Sequence, residues 1–151
     1  MNFAIAQALV PTKQGYATVD VGIEGDKIAH LEANGFPSSA AQQIDAQNQL
    51  LLPGFVNAHT HSSEIWQRGM IPPYPLELWI AELHEFSPPN PEQIYLGALA
   101  TAVETLLSGG TTVVDHLVLI PGKEIETVEA AVRAYKEIGL RAFVGPLIQD
   151  Q

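Results

Sequence analysis

Apolar and polar residues alternate along much of the first fifty residues of the chain. Between Tyr16 and Ile23 the two kinds exchange at almost every step, which is the period of two expected of a half-buried strand. Strand-like segments lie on both sides of it, separated by a turn that ends at Gly15 and a tight turn at Gly25-Asp26. The pattern predicts a small β-meander with too few strands to close, so that one edge needs cover.

The pattern changes after Gln49. Residues 50–58 form a nearly continuous apolar run, which is typical of a strand buried on both faces of a parallel sheet, and the run stops at His59. Two shorter segments, residues 111–115 and 141–145, are rich in apolar or β-branched residues and predict two further strands.

Three amphipathic stretches separate or follow these strands. The first covers residues 76–86; the second begins after Asn90, a good capping residue, and ends at Gly109-Gly110. The third spans residues 125–138 and is terminated by Gly139. Because strand and helix alternate at short spacing, the sequence predicts parallel βαβ units and an α/β fold.

Composition narrows the classes of function. Seventeen acidic against seven basic side chains give a formal charge of −10, which disfavours nucleic acid as a partner. The chain has no Cys, so disulfides, thiolate nucleophiles and iron–sulfur clusters are excluded. The first ten residues do not match a signal peptide, and no apolar run approaches the roughly 18 residues of a membrane span. We therefore expect a cytoplasmic protein with no membrane partner.

The candidate chemistry is concentrated in the sequence His59-Thr60-His61. Residues at i and i+2 of a strand point to the same side, so both imidazoles would share one face. In a parallel barrel this pair would lie at the carboxyl end of the first strand, where such enzymes carry their active sites. Imidazole suits zinc as well as iron, but a catalytic zinc needs three protein ligands. The pair is half a metal site, unless the two are surface or packed histidines.

The context of the pair resembles a known motif. Residues 51–61 are similar to the opening motif of the metal-dependent amidohydrolase superfamily, in the branch that contains cytosine, guanine and S-adenosylhomocysteine deaminases and triazine hydrolases. Further matches follow in order along the chain, at Arg68-Gly69, at Pro75-Leu76 with Trp79, at residues 108–115 and at residues 139–142. The resemblance covers essentially the whole chain.

The resemblance implies a hydrolase of carbon–nitrogen bonds other than peptide bonds, which deaminates an amino-substituted heterocycle with a metal-activated water. It also implies a fold: residues 1–50 would be the β-rich part of a small sandwich, and residues 51–151 about the first three units of a (β/α)₈ TIM barrel. His59 and His61 would bind a divalent metal, zinc first and iron as the alternative. The remaining ligands and the acid/base residues belong to later strands and have no counterpart here.

Several other residues are weaker candidates for the substrate site. Glu64, Trp66 and Gln67 follow the motif and could face a planar heterocycle, although Trp66 is equally explained as a core residue. Asp115 and His116 end the second predicted strand. Asp115 could support the metal ligands and His116 could line the substrate pocket, or the two could only tie down the following loop.

Arg68 has two interpretations as well, since it could pair with a substrate carboxylate or with an acidic side chain of the protein itself.

Length raises an alternative to a self-sufficient enzyme. A complete barrel needs about 250 residues, and this chain has 151. An open barrel exposes two apolar edges, so we expect self-association or a complementary C-terminal chain. The chain would then be a fragment, one piece of a split enzyme, or an inactive remnant. A binding or assembly module that recruits a partner by strand addition is the corresponding non-enzyme hypothesis.

Overall fold

The computed structural model describes residues 3–33, 35, 40–85 and 90–148, with the side chains of residues 84 and 85 excepted. The chain divides into two compact units, Met1–Pro53 and Gly54–Gln151. Within the described residues, no helix has both the length and the apolar character that crossing a membrane requires.

The first unit is a sheet with the strand order β3-β2-β1-β4. Its strands are β1 (Phe3–Thr12), β2 (Gly15–Glu24), β3 (Lys27–Glu32) and β4 (Gln43–Asp45). The first three form the predicted antiparallel meander. The fourth pairs in parallel with β1 and was not predicted, because three residues are too short to display a period. It covers the β1 edge that the meander alone would leave open.

The second unit holds a parallel sheet with the order β5-β6-β7. Its elements are β5 (Phe55–Thr60), a 3-10 helix (Ser62–Gln67), α1 (Leu76–Glu85), α2 (Pro91–Leu107), β6 (Gly110–Val118), α3 (Glu124–Ile138) and β7 (Arg141–Leu147). Consecutive parallel strands with helical connections are the βαβ arrangement that the sequence predicts.

The ends of α2 and α3 follow local sequence signals. Asn90 accepts a hydrogen bond from the Gln93 backbone N–H, and the Gln93 side chain accepts one from the Asn90 N–H, which makes a complete capping box. At the other ends, Gly109 and Gly139 adopt φ of 83° and 77°, a left-handed conformation that glycine tolerates best. These three predictions are confirmed.

Strand β6 lies at the centre of the core of the second unit. Val113 and Leu117 of β6 are fully buried in one apolar cluster with residues of both α2 and α3. The helices contribute mainly small side chains, among them Ala98 and Ala102 of α2 and Ala131 of α3. Small residues allow close packing of the helices on the strand.

Strand β5 differs from the prediction. It begins at Phe55 rather than in the leucine run, because the Leu51 backbone N–H donates to the Leu9 carbonyl of the first unit's sheet. Phe55 and Val56 are each 61% exposed. Among the described residues β5 pairs only with β6, so the burial expected on both faces is absent.

Gly97 marks a close contact between α2 and the 3-10 helix. A Cβ at this position would lie 2.7 Å from the Ser62 carbonyl oxygen. We expect Gly97→Ala to lower the free energy of unfolding by about 1–3 kcal/mol, because backbone must shift. If helix propensity alone decided the outcome, replacing glycine by alanine would instead raise the free energy of unfolding by about 1 kcal/mol. Urea denaturation followed by circular dichroism measures the difference.

The control is Leu107→Ala in the same helix. Leu107 is 84% exposed, so its truncation should change the free energy of unfolding by less than about 0.5 kcal/mol. A Gly97→Ala protein more stable than the parent would contradict the close contact.

Candidate metal site at the carboxyl end of the parallel sheet

The two motif histidines lie where β5 departs from a regular ladder. Asn57 pairs with Val113 and Thr60 pairs with Asp115, so three steps along β5 match two along β6. One extra residue is therefore accommodated, as in a β-bulge. The Asn57 side-chain oxygen accepts a hydrogen bond from the His59 backbone N–H at 3.2 Å and so supports this turn of the chain.

The imidazoles of His59 and His61 lie together, with ring centroids 4.9 Å apart and planes nearly perpendicular at 86°. The alternation of a regular strand is not the reason, since His59 lies within the bulge and His61 directly follows the strand. His116 of β6 joins them, with its ring centroid 4.7 Å from that of His59 and 5.9 Å from that of His61. Three of the predicted candidates thus share one end of the sheet.

The tautomer of His61 follows from its contact with His116. Nδ1 of His61 lies 2.8 Å from the His116 carbonyl oxygen. Because a carbonyl only accepts, Nδ1 carries the proton and donates. In a neutral ring this leaves the lone pair on Nε2, and neutral imidazole nitrogen is the form that binds metals.

Asp115 of β6, the ladder partner of Thr60, is fully buried. Its Oδ1 accepts from the Ser62 backbone N–H at 3.0 Å, and its Oδ2 accepts from the Ser62 hydroxyl at 2.6 Å and the Tyr135 hydroxyl at 2.9 Å. A buried carboxylate is costly unless it is hydrogen-bonded, and here three donors satisfy it.

Tyr135 supplies the donor from α3. Burial, followed by the negative charge of Asp115, raises the pKa of the Tyr135 hydroxyl well above its ordinary range. The hydroxyl therefore stays protonated and able to donate. Neither Tyr135 nor Ser62 was predicted as a site residue. A tyrosine on the buried stripe of a helix was the available signal, because such a hydroxyl needs a polar partner.

An open cavity of about 640 Å³ lies beside His61. Glu64, Gln67 and Arg68 line it, together with Trp79 of α1. The Gln67 side-chain oxygen is buried and has no hydrogen-bond partner within the described part of the chain. The cavity is therefore lined by charged and amide side chains as well as by apolar ones.

Trp66 and Arg68 are both held by α2. The Trp66 indole N–H donates to the Gln93 carbonyl at 3.0 Å, and Trp66 remains 47% exposed. Arg68 donates to both carboxylate oxygens of Glu104, each at 2.9 Å, at an exposed position. Of the two interpretations of Arg68, the structure thus supports the ion pair within the protein.

The chain is similar to proteins of one family along most of its length. The model of the amidohydrolase family matches residues 50–151. The chain belongs to the amidohydrolase family. The resemblance that the motifs indicated is thereby confirmed.

Curated relatives of this amidohydrolase-family chain include deaminases. It is 35% identical over 131 residues to the 5-methylthioadenosine/S-adenosylhomocysteine deaminase of Pyrococcus horikoshii, an alignment covering 83% of this chain and 28% of the relative. It is 34% identical over 127 residues to the 8-oxoguanine deaminase of Pseudomonas aeruginosa, covering 81% and 28%. The chain spans little more than a quarter of the length of these relatives.

Solved structures agree on the fold of the amidohydrolase-family chain. A triazine hydrolase from Arthrobacter aurescens aligns with a TM-score of 0.81 at 25% identity, covering 95% of this chain and 35% of that one. An adenosine deaminase from Xanthomonas campestris, solved with bound zinc, aligns with a TM-score of 0.74 at 24% identity, covering 93% and 33%. The mixed α/β fold is confirmed.

Among the residues of this chain that the structure describes, no three or more histidine or acidic side chains are grouped so that they could bind a metal ion. The interpretation of His59 and His61 as half a metal site stays a prediction.

Tyr135 generates a prediction for alkaline pH. The folded state disfavours the ionised form of Tyr135, so the unfolded state loses this proton first as the pH rises. The stability that the protonated Tyr135 contributes is therefore present below the ordinary tyrosine pKa of about 10 and is lost as the pH rises above it. We expect the urea midpoint to fall more steeply above this pH in the parent than in Tyr135→Phe. Tyr16→Phe removes an exposed tyrosine and should keep the parent's profile. Ionisation of Tyr135 in the folded protein near its ordinary pKa, seen by tyrosinate absorbance, would contradict this.

Proposed function

We propose that this chain is the N-terminal part of a metal-dependent hydrolase that removes the amino group of an amino-substituted heterocycle. The observation that carries the proposal is the meeting of the His59 and His61 imidazoles at the carboxyl end of β5, 4.9 Å apart. Membership of the amidohydrolase family and the deaminases among the relatives support the reaction class.

The proposed architecture assigns residues 51–151 to the first three units of a (β/α)₈ barrel and residues 1–50 to part of a β-sandwich. The sequential parallel order β5-β6-β7, with α2 and α3 in the connections, supports the barrel assignment. The candidate site lies at the carboxyl ends of these strands, which is the catalytic face of such barrels.

The donor chemistry fits zinc. His59 and His61 would hold the metal, with Nε2 of His61 as a ligand atom because Nδ1 is occupied by the His116 carbonyl. Iron accepts the same donors and is the alternative. When bound, zinc supplies a water whose pKa is lowered to about 7, and thus a hydroxide nucleophile at neutral pH.

The substrate would contact polar groups beside the pair. Gln67 lines the cavity beside His61, and its side-chain amide carries both the donors and the acceptor that an exocyclic amino group or a ring nitrogen requires. Glu64 lines the same cavity as His61 and Gln67, and His116 packs against His59. We assign Glu64, Gln67 and His116 to substrate binding, with the exposed face of Trp66 as a further stacking surface.

Zinc titration tests the ligand pair. We expect His59→Ala and His61→Ala each to weaken zinc binding at least tenfold, since loss of merely supporting partners already costs roughly 10–100-fold. His30→Ala, on β3 of the first unit, is the matched control and should bind like the parent. Calorimetry gives the affinities, and zinc binding at parental strength in the double variant His59→Ala/His61→Ala would refute the assignment.

Activity is tested by ammonia release from an amino-purine, an amino-pyrimidine and an amino-triazine, with zinc-loaded protein.

The alternative is a chain that acts only with a complementary C-terminal chain of the same family. Phe55 and Val56 on β5, together with Phe143 on β7, favour it, because each is 61% exposed. Ammonia release that requires the added complementary chain supports the alternative, and release by this chain alone supports a self-sufficient enzyme. Absence of ammonia release both with and without the complementary chain contradicts the deaminase proposal.

Gel filtration tests the same apolar surfaces. We expect the chain to elute at an apparent mass above the 16.3 kDa of one copy, since exposed apolar strand residues associate. A monomer that unfolds in a single cooperative transition would contradict the incomplete barrel.

A further inference from the structure

We propose that Asp115 is a positioning residue for His61, acting through Ser62, and that it sets the geometry with which His61 meets a metal. The inference rests on the proposed function, in which His61 is a ligand. Neither Asp115 nor Ser62 would itself touch the metal.

The Asp115 carboxylate has a single orientation. The side chain is fully buried on the central strand β6, and Tyr135 of α3 donates to Oδ2. Because the pKa of Tyr135 is raised by burial and by Asp115 itself, this donor is retained across the physiological range of pH. The carboxylate is thus held between β6 and α3, two elements of the core.

Asp115 also holds the chain on both sides of His61. The residue before, Thr60, is the partner of Asp115 in the β5–β6 ladder. The residue after, Ser62, donates to the Asp115 carboxylate from its backbone N–H and from its hydroxyl. Hydrogen bonds to an ionised acceptor are stronger than neutral ones. The His61 backbone is therefore fixed between two attachments to one residue.

The imidazole ring of His61 is held as well. The next residue of β6, His116, accepts the proton of His61 Nδ1 through its carbonyl oxygen. Consecutive residues of β6 thus hold the backbone and the imidazole of His61. This arrangement resembles the carbonyl and carboxylate partners that orient metal-binding histidines and select their tautomer.

The test compares Asp115→Asn with the parent chain. Asparagine keeps the shape but loses the charge, and its NH₂ group would face the two hydroxyls that donate to Oδ2. Two readouts are used: long-range ¹H–¹⁵N correlation spectra, which report the tautomer of His61 without metal, and zinc affinity by calorimetry.

Two further variants sharpen the test. Ser62→Ala removes only the hydroxyl contact and retains the backbone one, so it serves if Asp115→Asn does not fold. Thr127→Val is the control: Thr127 is fully buried in α3, and its hydroxyl donates to the Lys123 carbonyl and accepts from the Ile120 backbone N–H, so its hydrogen bonds involve neither Asp115 nor Ser62. It should lower stability without changing His61.

We expect Asp115→Asn to mix the His61 tautomers and to weaken zinc binding by roughly 10–100-fold, the usual cost of losing a supporting partner. Ser62→Ala should change both readouts in the same direction by less. Parental spectra and affinity in folded Asp115→Asn, or in Ser62→Ala if the former does not fold, would overturn the proposal. If the parent binds no zinc, the proposed ligand pair fails, and the tautomer alone decides the role of Asp115.

Discussion

The buried carboxylate of Asp115 is the constraint on which the candidate site depends. It lies on the central strand of the parallel sheet and collects donors from the start of the 3-10 helix and from α3. Removing any one donor would leave the buried charge partly unsatisfied. The desolvation cost of an unsatisfied buried group exceeds the net stabilisation that a typical hydrogen bond contributes to folding. The same contacts that satisfy this charge bring the end of β5 against β6, so packing and site geometry have one cause.

Features specified by neighbouring residues could be predicted from the sequence. The Asn90 capping box and the left-handed Gly139 depend on chain segments of a few residues, and both were predicted correctly. The start of β5 was not, because the backbone of Leu51 pairs with Leu9, forty-two positions earlier in the chain. Such a distant partner leaves no trace in local hydrophobic periodicity.

The site was predictable in its residue types and less so in its geometry. The motif pointed to His59 and His61, which the structure brings together, and the family comparison accounts for the surrounding matches. Ser62 and Tyr135 escaped notice because each has an ordinary explanation, as a helix-start residue and as a core residue. Only the fold shows that both donate to Asp115.

The bulge in β5 has a consequence for how this site can vary. Three steps on β5 match two on β6 between Asn57 and Thr60, so the position of His59 depends on the number of residues in the segment as well as on their kinds. Between Phe55 and Val56 one step on β5 matches two on β6, so the two irregularities offset each other by Thr60. Deleting one residue would break this match and turn the following side chains to the opposite face. Insertions and deletions at this point are therefore more damaging than most substitutions, and the length of the segment is itself under constraint.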